Sequence, residues 1–197
     1  MELDDAALVR ASQQGDRDAF GVLISRHAQS ILSLTTRMLG AAEAEDVAQD
    51  TFVAAYKALP TFKLDSKFKT WLYRIGVNKC TDALRARRPN TSLDAEPDDS
   101  AVMLEAADHD TPLSQLEQAE LAWALDQGIQ ALPLVYRESF VLRHVEGLDY
   151  DEMSVVLGVK RDTLKMRVYK ARTLLCQSLA TFRERNENGA HVRRSRN

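Results

Sequence analysis

The sequence predicts an all-α protein of two small helical domains joined by a flexible acidic linker, the second domain containing a helix-turn-helix. Three observations carry this. Apolar residues recur at three- and four-residue steps through residues 4–88 and again through 114–182, the spacing of one helix face. Between them lies a proline-bearing stretch without helical period; from residue 90 to 120, running into the second region, Asp94, Glu96, Asp98, Asp99, Glu105, Asp108, Asp110, Glu117 and Glu120 stand with no Lys or Arg. Finally, LDYDEMSVVLGVKRDTLKMRVYKARTLL at 148–175 reads as a short helix, a glycine turn and a longer basic helix.

The first helical stretch, residues 4–39, places Leu8, Ala11, Phe20, Leu23, Ile24, His27, Ile31, Leu34, Met38 and Leu39 on its apolar face. It breaks near Gly15-Asp16, where Asp16 or Asp18 suits a helix cap, and stops at Gly40. His27 lies within this pattern and reads as a hydrogen-bonded core or boundary histidine. A second helix runs from about 42 to 59, with Val47, Thr51, Phe52, Ala55 and Leu59 inward and Glu43, Glu45, Asp46 and Asp50 making its start acidic. Acidic residues there also complement the helix dipole.

Pro60 ends that helix, and residues 61–67 (TFKLDSK) form a loop in which Asp65 or Ser66 caps the next helix. Phe68, Trp71, Leu72 and Ile75 then mark a buried face, both cysteines (Cys80 and Cys176) being expected as reduced, buried thiols. Lys67, Thr70, Arg74, Asn78, Thr81, Arg85 and Arg88 step along another face. That stripe is about 30 Å long at 1.5 Å per residue. It suits a phosphate backbone, with Thr70 and Asn78 able to hydrogen-bond bases; equally, it could be a solvated face of a bundle.

In the second domain, Leu116, Leu121, Leu125, Ile129 and Leu132 make one amphipathic helix. Pro133 suits the start of the next, which carries Val135, Phe140, Val141 and Leu142 and ends at Gly147. The two-helix motif spans 151–157 and runs on from about Asp162. Leu164, Val168, Ala171 and Leu175 face inward, and Lys160, Arg161, Lys165, Arg167, Lys170 and Arg172 cover the rest. The N-terminal half of such a helix enters a DNA major groove. The basic tail, 183–197, is expected to fray.

Net charge is −3 over 197 residues, yet without the nine acidic residues of the linker region 26 basic residues face 20 acidic ones. Local fields, not the total, decide where a polyanion docks. No glycine-rich phosphate loop, metal-spaced His/Cys set or nucleophile motif is present, so neither an enzyme nor a cofactor or metal site is expected. No apolar run approaches the roughly eighteen residues of a membrane span, and the acidic N-terminus is unlike a signal peptide. A cytoplasmic protein without membrane insertion is expected.

Two segments carry a family resemblance. AEDVAQDTFVAAYKAL, followed by FKLDSKFKTWLYRIGVN and a basic RARR end, resembles the second domain of a bacterial sigma factor of the extracytoplasmic-function (group IV) class. The helix-turn-helix at 148–175 resembles that class's domain 4. The resemblance implies a sigma domain 2-like unit at 1–88, a linker at 89–113, a domain 4-like unit at 114–182 and a tail at 183–197. It implies core polymerase binding through Asp46, Gln49 and Asp50. Minus-ten DNA would be held by Phe62, Lys63, Asp65, Ser66, Lys67, Thr70, Arg74, Asn78, Arg85 and Arg88, with the loop at 61–67 capturing a flipped base. Phe62 is the first candidate to stack on that base, Trp71 and Tyr73 the others. Family members often carry Arg-Gly where this chain has Lys63-Leu64, which alters backbone freedom.

Lys165, Met166, Tyr169 and Lys170 would read the minus-thirty-five element, with Arg161, Arg167 and Arg172 on the same helix and the last two suited to phosphates. Core RNA polymerase, promoter DNA and an anti-sigma factor are the implied partners. The linker would thread a basic channel of the polymerase, mimic nucleic acid, or serve as a solubilising tether. A stand-alone helix-turn-helix regulator is the alternative; it leaves the acidic helix and the loop at 61–67 without a purpose.

Overall fold

The structure, a computed structural model, describes residues 3–87 and 115–194, with side chains described for 3–87 and 120–182. Arg88 and the linker expected at 89–113 lie outside the described residues. Among the described residues every regular element is helical.

Helix α1 (Asp5–Gln13) is capped by Asp4, whose carboxylate accepts the Ala7 N–H at 2.7 Å. Of the two caps the sequence offers for α2 (Arg17–Leu39), Asp16 is used, accepting from Asp18 and Ala19. Gly40, at φ 89°, lets the chain turn with no intervening loop into α3 (Ala41–Ala58), a backbone conformation that favours glycine. A 3₁₀ turn at Leu59–Thr61 follows. Helix α4 (Phe68–Arg87) begins where the Lys67 carbonyl accepts the Trp71 N–H. Lys67, not Asp65 or Ser66, thus holds the cap position.

Helix α2 packs on α1, α3 and α4 around Leu23, Ile31, Leu34, Met38, Leu59 and Leu72, all essentially inaccessible. Gly76 is required by this packing: a Cβ there would lie 3.0 Å from Leu34 Cδ2. His27 is buried and its Nε2 lies 2.8 Å from Asp5 Oδ2, the boundary role expected of it.

The second group comprises α5 (Gln115–Ala131), α6 (Leu134–Phe140), a π-helical turn (Val141–Val145), α7 (Tyr150–Leu157) and α8 (Arg161–Arg194). Its core gathers Ile129, Leu142, Met153 and Leu164. One departure from the amphipathic pattern occurs on α5, where Leu121 is exposed; Trp123, outside that pattern, is exposed too. Cys80 is buried as expected, but Cys176 is exposed; it falls one position past the inward Leu175 and so rotates off the buried face. Instead of fraying after Phe182, α8 continues to Arg194. Residues 183–194 contain no proline and several good helix formers.

The two groups abut. α4 packs on α7, and α2 on α5 and the π turn. Arg137 Nη1 reaches the Met38 carbonyl at 2.6 Å, Arg37 pairs with Asp126, and the Tyr73 hydroxyl donates to Glu146.

Candidate nucleic-acid and polymerase interfaces

Helix α3 has a buried face of small side chains, Ala44, Ala48, Thr51 and Ala55, so it lies close against α2. Its opposite face presents Asp46, Gln49 and Asp50 to solvent together. Glu43 is committed elsewhere, 2.6 Å from Arg87 on α4. The same exposed ridge continues through Val53 and Tyr56, each 46% accessible. Neither residue is among those the sequence pattern singles out. Their signal is positional: 46, 49, 53 and 56 share one helix face.

The loop after α3 encloses one side of a cavity of about 450 Å³ lined by Thr61, Phe62, Lys63, Asp65, Ser66, Trp71, Arg74 and Val155. That volume falls within the roughly 300–1,000 Å³ of small-ligand sites. The aromatic floor is built locally: Phe62 stacks on Trp71 with centroids 4.6 Å apart at 20°, and meets Phe68 edge-on at 6.3 Å. Gln13 Nε2 donates to the carbonyls of Leu59 (2.9 Å) and Phe62 (2.8 Å). At Lys63-Leu64, where the resembled class often has glycine, Leu64 takes φ 59°. The left-handed conformation is held here by a leucine, not a glycine. Val155 belongs to α7, so the second helical group forms part of the cavity wall.

Three expectations for this region are corrected. Phe62 is only 6% accessible, its ring already stacked on Trp71, so half-buried Trp71 is the better-placed aromatic surface of the cavity. Tyr73 is fully buried. Its pKa is pushed far up by burial first and then by the hydrogen bond to Glu146. Thr70 is also buried, not part of the polar stripe. Helix α4 packs on α2, α3 and α7, and this buries a wider arc than its apolar spacing indicates. Lys67 is exposed but held by Glu152 at 2.8 Å, whose hydrogen bond and charge raise its pKa. Arg74, Asn78 and Arg85 remain exposed on the stripe.

In the helix-turn-helix, Asp149 and Glu152 form a reciprocal capping box at the start of α7, legible in the sequence as Asp-x-x-Glu but not singled out. Gly158 turns the chain at φ 67°. Leu164, Val168, Ala171 and Leu175 face the core as expected. Lys165, Met166, Tyr169 and Arg172 are exposed, and Lys170 is half-buried. Arg161 pairs with Asp151 at 3.2 Å and Lys165 with Asp162 at 3.0 Å. Arg167 differs: it is 14% accessible and pairs at 3.6 Å with the similarly covered Glu138. It braces α8 against α6 and is not open to a phosphate. His144, beside this packing, has its pKa lowered by burial first and then by Arg172 and Arg143.

Comparison with known proteins places the chain in a family. Residues 23–89 match the family described as Sigma-70 region 2, and residues 122–175 match Sigma-70, region 4. The chain is 35% identical to the ECF RNA polymerase sigma-E factor of Haemophilus influenzae over 88% of its own length and 94% of that protein's. It is 37% identical to the RNA polymerase sigma-H factor of Pseudomonas aeruginosa over 89% and 93%. Among solved structures, CnrH in complex with the cytosolic domain of CnrY superposes with a TM-score of 0.64 at 32% identity, covering 90% of this chain and 97% of that one. This chain belongs to the extracytoplasmic-function class of RNA polymerase sigma factors. The two matched regions fall one on each helical group. A stand-alone regulator finds no support.

Proposed function

We propose that the chain performs the work of a sigma factor, binding core RNA polymerase and directing promoter recognition and opening, through three surfaces. Asp46, Gln49 and Asp50 on α3 would dock on the polymerase, with Val53 and Tyr56 adding an apolar flank to a polar contact. The cavity beside the 61–67 loop would receive one unstacked base of the minus-ten element. Trp71 offers it a ring, Lys63, Asp65 and Ser66 offer donors and acceptors for its edge, and Arg74, Asn78, Arg85 and Lys67 follow the strand's phosphates. Extracting a base costs a few kcal/mol, which stacking and edge hydrogen bonds offset. The exposed face of α8, with Lys165, Met166 and Tyr169, would enter the minus-thirty-five major groove, flanked by Arg161, Lys170 and Arg172.

The observation that carries this is the cavity: an aromatic wall, an acceptor and cations converge where an acidic docking helix ends. The chain would act as two DNA- and polymerase-binding units, 1–88 and 114–182, tethered by the acidic linker so that modest affinities multiply. It would not be an enzyme and would work in the cytoplasm beside its polymerase; among the described residues no helix is long and apolar enough to cross a membrane. An anti-sigma factor covering both units would silence it; the relative CnrH is solved with another protein's cytosolic domain bound.

Transcription from a promoter library with purified core polymerase, with and without the chain, tests this proposal. Discrete start sites that share two spaced motifs and require the chain are expected. Duplex binding without core binding or strand opening would overturn it.

A further inference from the structure

We infer that Gln13 is a positioning residue for the base-capturing cavity, building on the assignment of that cavity to a flipped minus-ten base. Gln13 closes α1, and residues 1–22 precede the stretch matched to sigma region 2. Its amide nitrogen nevertheless reaches 46 and 49 positions along the chain to the carbonyls of Leu59 and Phe62. A primary amide has two N–H donors, so one side chain satisfies both acceptors. Those carbonyls bracket the 3₁₀ turn that launches the cavity loop.

Two features show why such a fastening is needed. Leu64, two residues past Phe62, holds a left-handed φ of 59°, a conformation that non-glycine residues keep only when their surroundings enforce it. The loop also runs 62–67 without regular structure between the 3₁₀ turn and α4. Gln13 is itself well anchored. Leu8 and Val9 of α1 are buried, and Asp5 ties the helix to α2 through Arg26 at 2.5 Å and His27 at 2.8 Å. The path from α2 through α1 to the loop fixes the backbone carrying Lys63, Asp65 and Ser66. Gln13 touches no base; it sets the distance at which those side chains meet one.

Gln13 lies at the surface, so substitution should not unfold the chain. Gln13→Glu keeps the shape, removes both donors and sets a carboxylate against two carbonyls; Gln13→Ala removes the donors alone. The test uses the full chain assembled with core polymerase and a pool of short single-stranded DNA of randomised sequence, read as base preference at each position. With the wild type, one position should show a preference that the Lys63→Ala, Asp65→Ala double variant abolishes. Both Gln13 variants should lower the preference at that position about tenfold, as expected for reading groups displaced from productive geometry. Preferences elsewhere and duplex binding should not change, and a lowered thermal midpoint should still leave the chain folded at the assay temperature.

If the double variant abolishes the preference and the Gln13 variants leave it intact, the role of Gln13 is refuted and the cavity assignment stands. An equal loss at every position would show a merely structural role and also refute it. If the wild type shows no such position, or the double variant leaves it unchanged, the cavity assignment fails and the role of Gln13 fails with it.

Discussion

Lys67 at the start of α4 and Glu152 in the first turn of α7 lie 85 residues apart in sequence and 2.8 Å apart in space. A cation suited to a DNA strand is thereby held by a carboxylate of the other helical group. Val155, one turn further along α7, lines the cavity beneath it. On the proposed reading, a DNA strand would have to displace Glu152 from Lys67 to reach this end of α4. Since the lysine is exposed, salt screens this pair readily. Glu152→Gln should tighten the free chain's binding to single-stranded DNA at low salt and have little effect near 1 M, where the Debye length is about 3 Å. Lys67→Ala should lower the slope of log affinity against log salt by about 0.7, the value for one phosphate contact on a single strand. Filter binding across a salt series reads both, and an unchanged slope would remove Lys67 from the strand's path.

The two cysteines should behave oppositely. Cys176 is exposed, while burial raises the Cys80 thiol to about 12, and only a thiolate reacts quickly. A thiol-reactive dye near pH 8 should label Cys176 at once and Cys80 only after denaturant is added. The same shift has a consequence for stability. The unfolded Cys80 loses its proton from about pH 9 while the folded one keeps it until about 12, so over that window the unfolded state binds fewer protons. Stability present below pH 9 should then decline with rising pH, at up to about 1.4 kcal/mol per pH unit from this group. Denaturation of Cys80→Ala in parallel isolates it, since its stability should show a shallower alkaline decline.

At Leu64, the left-handed φ of 59° makes β-branching the most costly change. Leu64→Ile should destabilise by about 1–2 kcal/mol. Leu64→Gly relieves the backbone and forfeits the side chain's partial packing against the core, leaving the two effects nearly balanced. Urea denaturation of the pair distinguishes them. Equal losses would mean that packing, not conformation, governs this position.

What the sequence made legible divides along physical lines. Helix spans, the Asp16 and Gly40 punctuation and the inward row Leu164, Val168, Ala171 and Leu175 arise from local chemistry and period, and these are present as expected. The exposed trio Asp46, Gln49 and Asp50 was also legible, since α3 buries only one face. Thr70, Tyr73 and Arg167 were misread for a common reason. Each sits on a polar or mixed helix face that another packing partner covers, α7 and Glu146 for α4, α6 for α8. Single-helix periodicity has no term for a second partner. Gln13 was invisible because its two acceptors are backbone carbonyls more than forty residues away, and backbone carbonyls leave no mark in a residue pattern.

Arg167 and Arg172 put this distinction to the test on one helix. The first is paired with Glu138, both nearly covered; the second is exposed on α8. Removing Arg167 takes away one charged partner of a mostly covered carboxylate, so Arg167→Ala should cost about 1–3 kcal/mol of stability. Its effect on DNA affinity should be confined to conditions where the fold itself is weakened. Arg172→Ala should leave the denaturation midpoint nearly unchanged and lower the salt slope for minus-thirty-five duplex binding by about 0.9, the value for one phosphate on B-form DNA. The Arg167→Ala, Glu138→Gln double variant should recover part of the lost stability, because the carboxylate whose charge Arg167 balanced is then neutral. If Arg167→Ala instead lowers the salt slope while sparing stability, α8 must rotate on binding DNA to free that guanidinium, and the α6–α8 packing seen in the free chain would not be the packing of the bound one.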